Sequence, residues 1–184
     1  DVWRYNVFIL PDAAPVEEGD FVIIESTYCD RLHADGDVLA ALEDVIRRTA
    51  KRKGILLIPS FAVGRTQELL YHLRVLQDER RIPLIPVYVD SPLAIQATRI
   101  FCRHPEALDL EHEPEPNGQD CALLCDNLHL ATAVQDSMAI NKMAGPLIIL
   151  SASGMCEAGR VLHHLKLKLP DRRNTVLFVG YQAE

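Results

Sequence analysis

Leu147-Ile-Ile-Leu-Ser-Ala-Ser-Gly-Met-Cys-Glu-Ala-Gly-Arg-Val-Leu-His-His164 runs from an unbroken apolar segment, through a glycine-bearing turn, into a helical pattern. A short continuous apolar run bounded by turn residues reads as a strand buried on both faces of a parallel sheet. Similar runs recur at Phe21–Glu25, Ile55–Pro59, Leu84–Val89 and Thr175–Val179. Helical stripes lie between them. Val38, Leu39, Leu42, Val45 and Ile46 form one, with Asp35 or Asp37 able to cap its start and Gly54 able to end it. Thr66–Leu76 and Val161–Leu169 carry two more, and Asp90-Ser91-Pro92 opens another helix. Strand–helix alternation predicts an α/β fold of three layers, a mostly parallel sheet flanked by helices.

The chain has 184 residues, 48% hydrophobic and 24% charged, ordinary values for a globular domain with a real core. No apolar run approaches a membrane span. Five cysteines without framework spacing read as reduced thiols, which predicts a cytoplasmic protein. Cys121 and Cys125 lack the further ligands of a structural zinc site. A net charge of −7 excludes indiscriminate nucleic-acid binding, so any such contact must be local. The basic residues Arg47, Arg48, Lys51, Arg52 and Lys53 sit where cations suit a helix C-terminus. Residues 103–120 are rich in proline and acid and read as a surface excursion.

Open parallel sheets bind ligands at the carboxyl ends of their strands. There the sequence places Glu25, then Ser60 to Arg65, then Asp90 and Ser91, then Ser151 to Gly154. Helix starts with exposed N–H groups, hydroxyls and a close-approaching glycine suit anions, so Ser60, Ser151, Ser153 and Gly154 are candidate phosphate contacts. Ser60 and Ser91 read equally well as helix caps, and Asp90 reads first as a cap. Arg65 can pair with Glu68, but a cation at a helix N-terminus is unfavourable, which points to a phosphate or an acid across the cleft. Of His163 and His164, one should face the core and the other the cleft, with His163 the more natural structural residue. His33 lies in a turn near Glu25, within reach of a hydrogen bond to that acid. Cys156, read as lying at a helix start, is a candidate for a lowered thiol pKa. No Gly-x-Ser-x-Gly elbow, Walker loop or dinucleotide fingerprint is present, which argues against a Rossmann-type small-molecule enzyme.

Five segments carry a family likeness. They are Ile24-Glu-Ser-Thr-Tyr-Cys-Asp-Arg-Leu-His33, Ile58-Pro-Ser-Phe-Ala-Val-Gly-Arg-Thr-Gln-Glu-Leu-Leu70, Val89-Asp-Ser-Pro-Leu-Ala94, Asn141 to Arg160, and Val179-Gly-Tyr-Gln-Ala-Glu184. Together, and in order, they resemble the β-CASP branch of the metallo-β-lactamase superfamily, which includes RNase J and the endonuclease of mRNA 3′-end processing. The resemblance implies a zinc-dependent ribonuclease whose metallo-β-lactamase domain holds two zinc ions. The β-CASP domain is inserted as a lid, and RNA lies in the cleft between the two.

On that resemblance residues 1–30 are the remnant of the metallo-β-lactamase domain and residues 31–184 the β-CASP domain. Glu25 and His33 are the implied catalytic residues. Asp1 is the implied zinc ligand, although Val2-Trp3 departs from the family pattern beside it. Ser151, Ser153 and Gly154 are the implied phosphate contacts, and Ser60, Arg65, Arg160 and His164 complete the candidate RNA- or phosphate-binding set. The His-x-His-x-Asp-His zinc motif is absent from these residues, so the chain reads as a piece of a larger enzyme. Alone it is expected to bind no zinc and to cleave no RNA. Val7–Leu10 and Phe21–Ile24 are expected to form an exposed apolar patch that favours a homodimer. A non-catalytic RNA- or nucleotide-binding module and a DNA-repair nuclease of the same superfamily are the competing readings.

Overall fold

A computed structural model of the chain describes residues 9–15, 17–24, 26–28, 36–110 and 121–182. The order of elements is α1 (Val38–Lys51), β1 (Ile55–Pro59), α2 (Arg65–Asp78), β2 (Val87–Asp90), α3 (Pro92–Arg103), a 3₁₀ turn (Pro105–Ala107), β3 (Leu128–Leu130), α4 (Val134–Lys142), β4 (Leu147–Ser151), α5 (Val161–Lys168) and β5 (Thr175–Val176). The strands form one parallel sheet in the order β3-β2-β4-β1-β5.

Both central strands, β1 and β4, are buried along their whole length. Their alternating side chains build two cores. Leu56, Ile58, Val87, Val89, Ile148 and Leu150 meet Leu42 and Ile46 of α1, Leu69, Leu70, Leu73 and Leu76 of α2, and Ile95 of α3. Ile55, Leu57, Leu147 and Ile149 face the other way, against Ile140 of α4 and Leu165 of α5. The result is the three-layer sandwich that the pattern predicts. Burying each large aliphatic side chain contributes about 1.5–3 kcal/mol before entropy is charged.

The helix ends follow local chemistry. Asp37 caps α1 by accepting from the Ala40 amide (3.0 Å), and Ser91 caps α3 by accepting from the Ala94 amide (3.2 Å), with Pro92 in the first turn. Lys53, not Gly54, takes the left-handed turn after α1 (φ 54°). The basic residues there are exposed, with Arg47 on Glu43 and Arg48 on Asp44.

The structure corrects four expectations. Phe21–Ile24 is not a strand: it is irregular, and its side chains are 78–99% exposed. Its apolar run meets no strand among the described residues, and β-branched composition alone does not make a ladder. Ile9, expected in an exposed patch, is instead buried against Tyr71 and Leu123. Cys102 and Cys121 are joined by a disulfide, so the pair is not reduced and the thiol argument for a cytoplasmic setting falls for them. β2 begins at Val87 and not at Leu84, because Pro83 and Pro86 lack ladder donors. The short edge strand β3 and helix α4 were not foreseen. No helix among the described residues is long and apolar enough to cross a membrane.

Candidate functional site

Asp90 ends β2 and is fully buried, an expensive place for a carboxylate unless it is paired. Three side chains from two helices and a loop meet it. Ser137 of α4 donates to Oδ2 (2.5 Å), His164 Nε2 of α5 contacts Oδ2 at 2.6 Å, and Arg160 Nη1 donates to Oδ1 (2.7 Å). Burial pushes the carboxyl pKa up. Hydrogen bonds from His164, Ser137 and Arg160 more than offset that and hold it below the usual carboxylate value. Asp90 is therefore the ionised hub that ties α4, α5 and the β4–α5 loop to the end of the sheet.

Each partner is itself held. His164 Nδ1 meets Asn141 Oδ1 at 2.8 Å. Arg160 also donates to the carbonyls of Ala131 and Thr132, both at 3.0 Å. Ser151 donates its hydroxyl to the Asp90 carbonyl (3.1 Å). Lys168 donates to the carbonyls of Asn141 and Met143, closing the C-terminal end of α4.

The loop between β4 and α5 folds tightly above this hub. The Ser153 amide donates to the Ala158 carbonyl (3.3 Å), and the Cys156 amide to the Ser153 carbonyl (3.2 Å). Gly159 has φ 86°, and a Cβ there would lie 2.5 Å from the Ala152 carbonyl oxygen. Only glycine fits that turn. Gly154 packs on Phe61, where a Cβ would be 3.0 Å from the ring. Gln182 donates to the Gly154 carbonyl (2.8 Å), binding the segment after β5 to the same loop. Asp90, Ser91, Pro92, Ser153, Gly159 and Arg160 then line a cleft of about 250 Å³ at the carboxyl ends of β2 and β4. This is where a parallel sheet presents a ligand site.

Of the residues singled out from the sequence, Ser153 and Arg160 line the cleft and Gly154 shapes its loop. Ser60 and Ser151 are buried close by. The Ser60 hydroxyl bonds Thr66 Oγ1 at 2.9 Å, and its amide donates to the Ser151 carbonyl. Ser60 caps nothing, since Gly64 occupies the N-cap of α2. Arg65 takes the local option and pairs with Glu68. His164, not His163, is the core-facing histidine, and it supports Asp90 instead of reaching the cleft. Cys156 precedes α5 in the loop, and burial raises its thiol pKa, the reverse of the expected direction. Asp1, Glu25 and His33 lie outside the described residues. Among the described residues, no group of three or more His, Cys, Asp or Glu is placed to hold a metal ion.

Asp90 was the residue misread as a helix cap. The signal was present: Ser91 already supplies the cap, which leaves a strand-ending aspartate with no local task. Ser137 carried no signal, because α4 itself has no apolar stripe.

The Beta-Casp domain model matches residues 66–184, well over half of the chain. The chain belongs to the Beta-Casp family. It is 34% identical to Ribonuclease TTHA0252 of Thermus thermophilus over 96% of its own length and 41% of that protein. It is 36% identical to transcription termination factor FttA of Methanosarcina mazei, over 89% of its length and 26% of the relative. Against an RNase J-like protein of Methanocaldococcus jannaschii it is 32% identical, over 96% of its length and 40% of the relative. The Beta-Casp chain thus spans about two fifths or less of these curated relatives.

Proposed function

We propose that this chain is the RNA-binding lid of a zinc-dependent ribonuclease that hydrolyses RNA phosphodiester bonds. The observation that carries the reading is the cleft at the ends of β2 and β4, roofed by a glycine-bearing loop and fixed by Arg160 on Asp90. The ribonuclease names among its relatives point the same way.

In this reading the cleft takes the sugar–phosphate backbone. Ser153 and the Gly154 segment approach the phosphate, and Ser60, Ser151 and His164 hold the cleft walls from beneath. Arg160 keeps the loop in register, and Arg65, at the start of α2, is a further proposed RNA contact. Zinc, when bound in the intact enzyme, would supply a hydroxide and charge stabilisation at the scissile phosphate. The described residues do not assemble a zinc site. Asp1 is the proposed ligand, and Glu25 and His33 are the proposed catalytic groups, on resemblance alone. The metallo-β-lactamase domain of the same polypeptide is the proposed partner, and the lid alone is inactive.

The test is binding and cleavage of a 5′-labelled RNA by the chain, with and without added zinc. Expected are salt-sensitive binding, no cleavage, and a severalfold loss of affinity on Ser153→Glu, which sets a carboxylate in the cleft. Failure to bind RNA overturns the lid reading. Cleavage that disappears on Glu25→Ala overturns the inactivity of the lid alone.

A second reading, a part in ending transcription, is favoured by the relatives named transcription termination factor. It uses the same RNA cleft.

A further inference from the structure

A second depression, of about 200 Å³, lies on the α4 side of the sheet edge. Its lining includes Tyr88 of β2, His129 and Leu130 of the edge strand β3, Asp136 and Ile140 of α4, and Met143 beyond it. Tyr88 and His129 are stacked, with centroids 4.8 Å apart and planes 18° from parallel, so the pair is a two-ring stack that a third planar group can extend from its outer face. Met143 adds a polarisable side chain that adapts to a planar guest. The volume, about 200 Å³, is small for a drug-sized ligand and suits a single nucleobase.

The polar chemistry is one-sided. Asp136 accepts the Ala133 amide through Oδ2 (2.9 Å), and no described residue bonds its other oxygen. Among the described residues, no lysine or arginine lines the depression. A phosphate would be repelled there, whereas a neutral ring carrying an amino group would find both a stacking face and an acceptor. The depression adjoins the cleft through shared elements. Asp90 and Tyr88 belong to the same strand, and Ser137, which holds Asp90, follows Asp136. Ala131 lines the depression, and its carbonyl holds Arg160 of the cleft.

We propose that this depression is a nucleobase subsite for the RNA strand whose backbone lies in the cleft, selecting bases with an exocyclic amino group over uracil. The inference rests on the RNA-lid reading above. His129 and Tyr88 supply the stacking platform, and Asp136 accepts from the amino group.

The experiment is fluorescence anisotropy of the 184-residue chain with labelled oligo(rA), oligo(rC) and oligo(rU) of equal length, without added metal. Expected is binding of oligo(rA) and oligo(rC) about tenfold tighter than oligo(rU), in line with one hydrogen bond from the amino group to a charged acceptor. His129→Ala should weaken all three strands about tenfold, since every base stacks. Asp136→Asn, which keeps an acceptor for the Ala133 amide, should shrink the preference while retaining most of the affinity. His129 is exposed, so its loss should leave circular dichroism unchanged. Equal binding of all three strands, untouched by His129→Ala, would overturn the subsite while leaving the RNA lid standing. Binding of none of them overturns both.

Discussion

Asp90 and Arg160 stand 70 residues apart in the chain and meet at 2.7 Å beside the cleft, a buried carboxylate held by a guanidinium that is itself fixed to two carbonyls. The pair joins the end of β2 to the start of α5. Breaking one side of such a pair leaves a buried charge with fewer partners, which costs about 3–5 kcal/mol. Arg160→Ala should lower unfolding stability by that order. Asp90→Ala should do so too, while also freeing Ser137 and His164. Urea titration measures both, and a change under 1 kcal/mol for either would show that the network does not hold the sheet end.

Gly159→Ala is expected to cost about 1–3 kcal/mol, because the turn needs a left-handed backbone and the added Cβ meets a carbonyl. Thermal unfolding reads the loss. An unchanged midpoint would mean that the loop takes another path.

His72 gives a pH signature. Burial, with a smaller contribution from Arg65, lowers its pKa from 6.5 to about 4. The unfolded chain therefore takes up a proton at a pH where the folded chain does not. Stability from this residue is complete above about pH 6.5 and is lost as pH falls towards 4, by roughly 2–3 kcal/mol. His72→Leu should flatten the stability profile over that window. A mutant profile parallel to the parent would show that another group sets the slope.

Phe21–Ile24 exposes four large apolar side chains in a row. Such a segment favours self-association. Light scattering at high protein concentration should report a dimer. Val22→Lys with Ile24→Lys should return it to monomer. A monomeric parent chain at those concentrations sinks the idea.

The layers were legible because the chemistry that makes them is local. The apolar runs of β1 and β4, the stripes of α1 and α2, and the caps Asp37 and Ser91 are each read within a few residues of themselves. β3 escaped because three residues at a sheet edge, two of them exposed, leave no hydrophobic pattern. α4 escaped because one of its two buried side chains, Ser137, is polar and serves a carboxylate 47 residues away. Phe21–Ile24 misled for the converse reason: strand-like composition says nothing of a partner strand. The cleft was legible as a rim of hydroxyls and glycines. Its anchor was not, since the partners of Asp90 lie up to 74 residues distant and no local rule names them.

The bond between Cys102 and Cys121 fixes two α-carbons 5.2 Å apart at the feet of the proline-rich excursion. A loop whose ends are already pinned imposes little on the fold by its own length, since closure entropy grows only slowly with added residues. Leu108 and Leu110 pack against the Ile9 cluster and the Asp109 amide donates to the Ile9 carbonyl, so the sequence between Leu110 and Cys121 is the place where residues can be added or exchanged while the bond keeps α3 and the segment leading to β3 in place. That makes it the natural port for grafting a tag, a probe or a foreign recognition element onto this domain, on condition that the thiols stay oxidised.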